Sequence, residues 1–186
     1  MKKYFYMAIA LMMAMVSCSK SDDDSANGVR TLINSKEALY AIIVPEGAQL
    51  TDITSDDYVL TLDNIIAANP ETGEFKMQGT EQIDSKAFPI PSQHVIQFYS
   101  EGRFLFEAKL NSALSSYLPL GLTFCHFLTD KNGLARYDLG RTTVVSPDGR
   151  VEGNPTEQQQ EGMQYMYEIL QLAGKTSNHI DYDFQY

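Results

Sequence analysis

Beyond residue 94 apolar and polar side chains repeatedly trade places at every second position, and a chain patterned this way buries one side only by forming β-strands. In "RFLFEAKL", residues 103–110, the alternation predicts Phe104, Phe106, Ala108 and Leu110 on one face and Arg103, Glu107 and Lys109 on the other. The preceding "HVIQFY" puts Ile96 and Phe98 on one side, and "SEGR" between the two runs carries Gly102 for a tight reversal, so the pair reads as a β-hairpin. A second hairpin follows in "LTFCHFL", "TDKNG" and "LARYDLG", where Asn132-Gly133 both tolerate positive φ. "NIIAANPETGEFKM" reads as a third, turning at Pro70–Gly73. "ALYAIIV", residues 38–44, is a continuous apolar run stopped by Pro45; it reads as a central strand, with a short helix capped at Asn34 or Ser35 as the alternative.

One amphipathic helix is predicted over 155–173. Asn154 is the candidate cap, Pro155 suits the first turn, and Glu157 stands three residues beyond the cap. Met163, Met166, Ile169, Leu170 and Ala173 then form one apolar stripe, Gly174 suits the C′ position and Lys175 complements the helix dipole. After it, "HIDYDFQY" alternates again and reads as a last strand, paired internally or presented at an edge to a partner. The expected fold class is α+β: a mainly antiparallel β meander, open barrel or sandwich of about seven to nine strands, with one amphipathic helix near the C-terminus.

The beginning of the chain is of another kind. Lys2 and Lys3 precede an uncharged, mostly apolar run from Tyr4 to Val16, the length of a secretory h-region and too short to span a bilayer as a helix. Met15-Val16-Ser17-Cys18 follows, and this tetrad resembles the lipobox of bacterial lipoproteins, with Met in place of the usual Leu. The resemblance implies cleavage before Cys18 and lipidation of its thiol. Two or three acyl chains, at ~0.8 kcal/mol per buried methylene, exceed the reversible attachment that a single chain provides. Ser21-Asp22-Asp23-Asp24 resembles the surface-export signal of Bacteroidota lipoproteins, and its composition is that of a solvated tether. The expected organisation is a signal peptide over 1–17, a lipidated cysteine and acidic tether over 18–30, and a single β-rich domain over 31–186. The expected location is the outer membrane, lipid-anchored and facing outward.

Charge narrows the partners. The 186-residue chain carries a formal charge of −10, and loss of Lys2 and Lys3 leaves 12 basic residues against 24 acidic ones, or −12. Such a surface repels phosphate backbones, so nucleic acid is not expected; neutral sugars, cationic peptides, metal ions and envelope proteins remain open. With Cys18 lipidated, Cys125 has no partner for a disulfide, and its setting in "LTFCHFL" reads as a core thiol.

Four segments, "YVLTLDNIIAANPETGEFKM", "IQFYSEGRFLFEAKL", "LTFCHFLTDKNGLARYDL" and the glutamine-rich "TEQQQEGMQYMYEILQ", occur in an order that resembles a group of small Bacteroidota surface lipoproteins. The likeness covers roughly residues 55–173 and implies location and fold type. It carries no catalytic or ligand residue, and this chain adds "HIDYDFQY" where such proteins end soon after the helix.

Chemistry-bearing patterns are sparse. His94, His126 and His179 lie far apart without metal-ligand spacing, and His126 falls inside a strand. Asp130, Asn132 and Gly133 form a fragment of a calcium loop that turn chemistry explains. No catalytic, metal or cofactor site is therefore expected. The leading expectation is a non-enzymatic binding or assembly module, with Tyr99, Tyr117 or Tyr137 as candidates for an aromatic binding patch. The alternative is a small glycan-active hydrolase using paired carboxylates from Asp52, Asp56, Asp57 and Asp63.

Overall fold

A computed structural model describes residues 35–48, 50–87, 93–115, 119–149 and 151–183. The segments expected as a signal peptide (1–17) and as a lipidated cysteine with its tether (18–30) therefore lie outside the described residues, as do Tyr117 and residues 184–186. All described residues belong to the unit Ile33–Tyr186. The fold is α+β and mainly β. Strands β1 (Tyr40–Pro45), β2 (Leu60–Thr61), β3 (Ile65–Asn69), β4 (Glu74–Met77), β5 (His94–Ser100), β6 (Arg103–Ser112), β7 (Gly121–Thr129) and β8 (Ala135–Thr142) form one open sheet in the order β2-β1-β5-β6-β7-β8-β4-β3. A separate ribbon pairs β9 (Val144–Val145) with β10 (Val151–Glu152). Every pairing in the large sheet is antiparallel except β6 with β7, so two mainly antiparallel halves meet at one parallel seam rather than continuing as a meander.

Within the apolar run 38–44, residues from Tyr40 onward form the strand β1, between β2 and β5, while Ala38 and Leu39 precede it. All three expected hairpins form. Between β5 and β6, Glu101 (φ 51°) and Gly102 (φ 77°) both take the positive φ of a turn whose twist suits a hairpin. The β7–β8 turn is built otherwise than expected: Gly133 alone takes positive φ, and Asp130 organises the loop by accepting from the backbone N–H of Asn132 (2.8 Å) and of Leu134 (2.9 Å). In the β3–β4 turn Asn69 accepts from the N–H of Glu71 at 2.9 Å, and a Cβ on Gly73 would stand 2.1 Å from the carbonyl oxygen of Leu139.

Two helices, α1 (Glu81–Ala87) and α2 (Glu157–Leu172), cover the core face of the sheet. α1 was not anticipated; at seven residues it is too short for the buried Ile83 to show a period. α2 starts later than the 155–173 reading. Thr156, not Asn154, is its cap, because Thr156 Oγ1 accepts from Gln159 N (3.2 Å) while Gln159 Oε1 accepts from Thr156 N (2.9 Å). At its end Gly174 (φ 68°) donates to Gln171 O and Lys175 N donates to Leu170 O, closing a Schellman motif. Lys175 does more than face the dipole: its Nζ donates to Ile65 O and ties the helix end to β3.

The core is aromatic. Phe124 stacks on Tyr137 (4.7 Å between centroids, 15°) and meets Phe98 (5.6 Å, 80°) and Phe75 (5.8 Å, 75°) edge-on, each geometry worth about 0.5–1.5 kcal/mol beyond area burial. Of the last strand expected over 179–186, the described residues 179–183 are not in a strand. One parallel bridge, Ala68 to Thr176, pairs the edge of β3 at Ala68, and the chain then leaves it. Tyr182 is held instead by its hydroxyl, which donates to Phe75 O (3.0 Å), and by Lys76 5.1 Å from its ring centroid.

Candidate functional site

One break in the alternation decides what the other face of the sheet carries. Tyr99 pairs with Phe104 and Phe98 with Phe106, so Leu105 is an extra residue on β6, a β-bulge. Phe104 is thereby turned to the outer face, away from Phe106, which corrects the expectation that both face one way. Phe106 stacks on Phe98 in the core (4.7 Å, 18°), whereas Phe104 meets the edge of Tyr99 (5.5 Å, 72°) on the opposite side.

A loop from Pro45 to Tyr58 folds over that outer face. Gly47 (φ 83°) lets it leave β1, and Glu46 fixes it to β6 through an ion pair with Lys109 at 3.0 Å. A one-turn helix at Ser55–Asp57 brings it back. Asp57 Oδ2 accepts from both N (2.8 Å) and Oγ1 (3.0 Å) of Thr54, and these hydrogen bonds hold the carboxyl below the usual aspartate range. Tyr58 then stacks on Tyr40 (4.0 Å, 18°) and Tyr40 on Tyr99 (5.4 Å, 7°), giving an aromatic row Tyr58–Tyr40–Tyr99–Phe104. Burial, with the neighbouring Tyr58, pushes the Tyr40 phenol up to about 12.

Where loop and sheet separate, a pocket of about 440 Å³ remains, lined among the described residues by Gly47, Ala48, Leu50, Gln97, Tyr99, Phe104 and Glu107. The volume lies within the range of small-ligand sites. Its polar wall is one directional chain: Tyr99 Oη donates to Gln97 Oε1 at 2.9 Å, and Gln97 Nε2 donates to Glu107 Oε2 at 3.2 Å. Burial, then the charge of Glu107, raises the Tyr99 phenol and keeps it a neutral donor. Two further cavities are formed by described residues. One of about 120 Å³ lies beside Lys109 and Gln159; one of about 550 Å³ is a depression bordered by the exposed Glu71, Thr72, Arg141 and Gln160.

A second polar cluster sits on the core face under α1. The buried Tyr137 donates its hydroxyl to Asp84 Oδ1, Thr80 Oγ1 lies 3.3 Å from Asp84 Oδ2, and His126 Nε2 stands 4.0 Å from Asp84 Oδ1 and 3.1 Å from Thr129 Oγ1. Both the acid and the hydroxyl meet the same ring nitrogen. A nucleophile relay needs them on opposite nitrogens, so the cluster fastens α1 to the sheet and does not activate Thr129.

Of the sequence candidates, Tyr99 lines the pocket, Tyr137 is wholly buried and Tyr117 lies outside the described residues. Asp52, Asp56, Asp57 and Asp63 are all exposed and line none of the three cavities; Asp57 is engaged as a cap. His94, His126 and His179 lie on different elements, and among the described residues no cluster of three or more histidine, cysteine or acidic side chains is arranged to hold a metal ion. Cys125 is half-buried, not fully buried as read: Phe124 takes the inward position, so its neighbour faces outward, where burial and then Asp138 raise its thiol. Gln97, Phe104 and Glu107 were missed as site residues. The trace of them in the sequence is the triplet Phe104-Leu105-Phe106, three apolar residues running where strict alternation allows two.

Among the described residues no helix is long and apolar enough to cross a membrane. Comparison with family models, with curated proteins and with solved structures returns no match.

Proposed function

We propose that this chain is a lipid-anchored outer-membrane protein, facing outward, whose β-rich body is a non-enzymatic binding module with its ligand site in the Tyr99–Phe104 pocket. The observation that carries the binding reading is the coincidence of aromatic walls and an ordered hydrogen-bond chain, Tyr99–Gln97–Glu107, in one concave site of small-ligand size. Buried polar groups aligned beside apolar walls orient a ligand, while exposed ones do not. Support for the anchor is the run Met15-Val16-Ser17-Cys18 behind a basic start and an apolar core, followed by the acidic Asp22-Asp23-Asp24.

The two halves are tested separately. Palmitate labelling of cells expressing the chain is expected to mark it, and Cys18→Ala to abolish both label and sedimentation with membranes; unchanged label in the variant contradicts the anchor. For the pocket, a mixture of small aromatic, amine and sugar fragments is screened by NMR against the full chain. Binders are expected to shift the Gln97 side-chain amide and the Phe104 ring. Shifts confined to the depression near Arg141 and Gln160 contradict the assignment.

A further inference from the structure

We propose that the Tyr99–Phe104 pocket takes a primary amine on an apolar stem, such as a lysine side chain of a peptide, with Glu107 receiving the ammonium group. The inference rests on the pocket's being a ligand site and adds the chemistry of the ligand.

The direction of the hydrogen-bond chain sets the polarity of the site. Tyr99 gives its only hydroxyl hydrogen to Gln97, and Gln97 gives one amide hydrogen to Glu107, so donors run toward Glu107 and acceptor capacity collects there. An ionised carboxylate has about four lone-pair sites and no donor, and one amide hydrogen uses one of them. A neutral sugar presents donors and acceptors alike, and a carboxylate ligand presents only acceptors. An ammonium group presents only donors, and Glu107 keeps about three lone-pair sites to accept them.

No basic side chain lines the pocket among the described residues. The two basic residues of β6 are committed elsewhere: Lys109 pairs with Glu46 at 3.0 Å, and the Arg103 guanidinium lies 5.8 Å from the ring of Tyr165 on α2. Glu107 is half-buried, so a cation beside it is screened less than at an open surface. The same pocket is lined by Tyr99 and Phe104, whose rings attract cations, and by Ala48 and Leu50, which suit a methylene stem. The charge of the whole chain, −10, draws the same class of ligand.

The test uses the full chain in detergent micelles, titrated with N-acetyl-lysinamide, with N-acetyl-norleucinamide (the same stem without charge) and with glucose. The side-chain resonances of Gln97 and Phe104 are followed by NMR. Expected is saturable binding of the lysine derivative, at least tenfold tighter than the norleucine derivative, and a loss of roughly tenfold or more in Glu107→Gln, the scale of one charge-assisted hydrogen bond. Gln97→Glu, which adds a second carboxylate, is expected to retain or strengthen it. Equal binding of the norleucine derivative or of glucose, or unchanged affinity in Glu107→Gln, overturns the amine assignment while leaving the pocket a ligand site. No shift at Gln97 or Phe104 with any of the three overturns both.

Discussion

Gly162 of α2 lies against the carbonyl of Leu105, the bulged residue of β6, so closely that a Cβ on Gly162 would stand 2.3 Å from that oxygen. The helix therefore seats directly on the bulge, and the irregularity that turns Phe104 to the outer face is held from the core side by the absence of a single methyl group.

Gly162→Ala is expected to destabilise the fold by about 1–3 kcal/mol, because the contact is with backbone and helix or strand must shift. Alanine is the better helix former, so an isolated helix would gain from the change. The exposed Gln158→Ala on the same helix should stay within about 0.5 kcal/mol of the parent. Urea denaturation of both variants measures the difference.

How far the residues announce this arrangement differs from place to place. The hairpins and α2 are legible, since alternation, Gly102 and Gly133 in the turns and the stripe Met166–Ile169–Leu170 are local signals. The cap of α2 is misplaced by two positions because Asn154-Pro155 and Thr156 with Gln159 are both plausible starts, and only the reciprocal hydrogen bonds choose. The parallel β6–β7 seam and α1 leave little local trace, as both arise from long-range packing. The pocket was hidden because Phe104 matches the core pattern once Leu105 is passed over. Gln97 and Glu107 likewise look like ordinary outward residues until the register pairs them across β5 and β6.

Alkaline stability should report the buried tyrosines. Tyr40 is raised to about 12, and burial also raises Tyr99, Tyr137, Tyr167 and Tyr182, against about 10 in an unfolded chain. Below pH 10 both folded and unfolded chains keep these phenols neutral, and their contribution to stability is complete. As pH rises toward 12 the unfolded chain loses protons that the folded one retains, so stability falls. Absorbance at 295 nm and circular dichroism followed together are expected to show a block of tyrosines ionising with unfolding between pH 10 and 12. Independent, non-cooperative ionisation near pH 10 would contradict the burial.

The turn at Asp130 offers a local test. Burial opposes its charge, but backbone N–H groups of Leu134, Asn132 and Asp183 hold the carboxyl below the usual range. Its stabilising role is therefore present above the ordinary aspartate value and is lost as pH falls through the lower folded value. Asp130→Ala is expected to speed amide exchange at Asn132 and Leu134 near neutral pH, while Asp130→Asn, which keeps an acceptor oxygen, should retain much of the protection. Equal exchange in both variants would show that the side-chain acceptor does not hold the turn.

The most direct measurement is a set of NMR cross-peaks from the Phe104 ring in the full chain. With the bulge at Leu105, the ring should show contacts to Tyr99 and to Ala48 or Leu50, and none to Met166 of α2. Strong contacts from Phe104 to Met166, with Tyr99 silent, would place Phe104 in the core beside Phe106 and leave the outer face without its pocket.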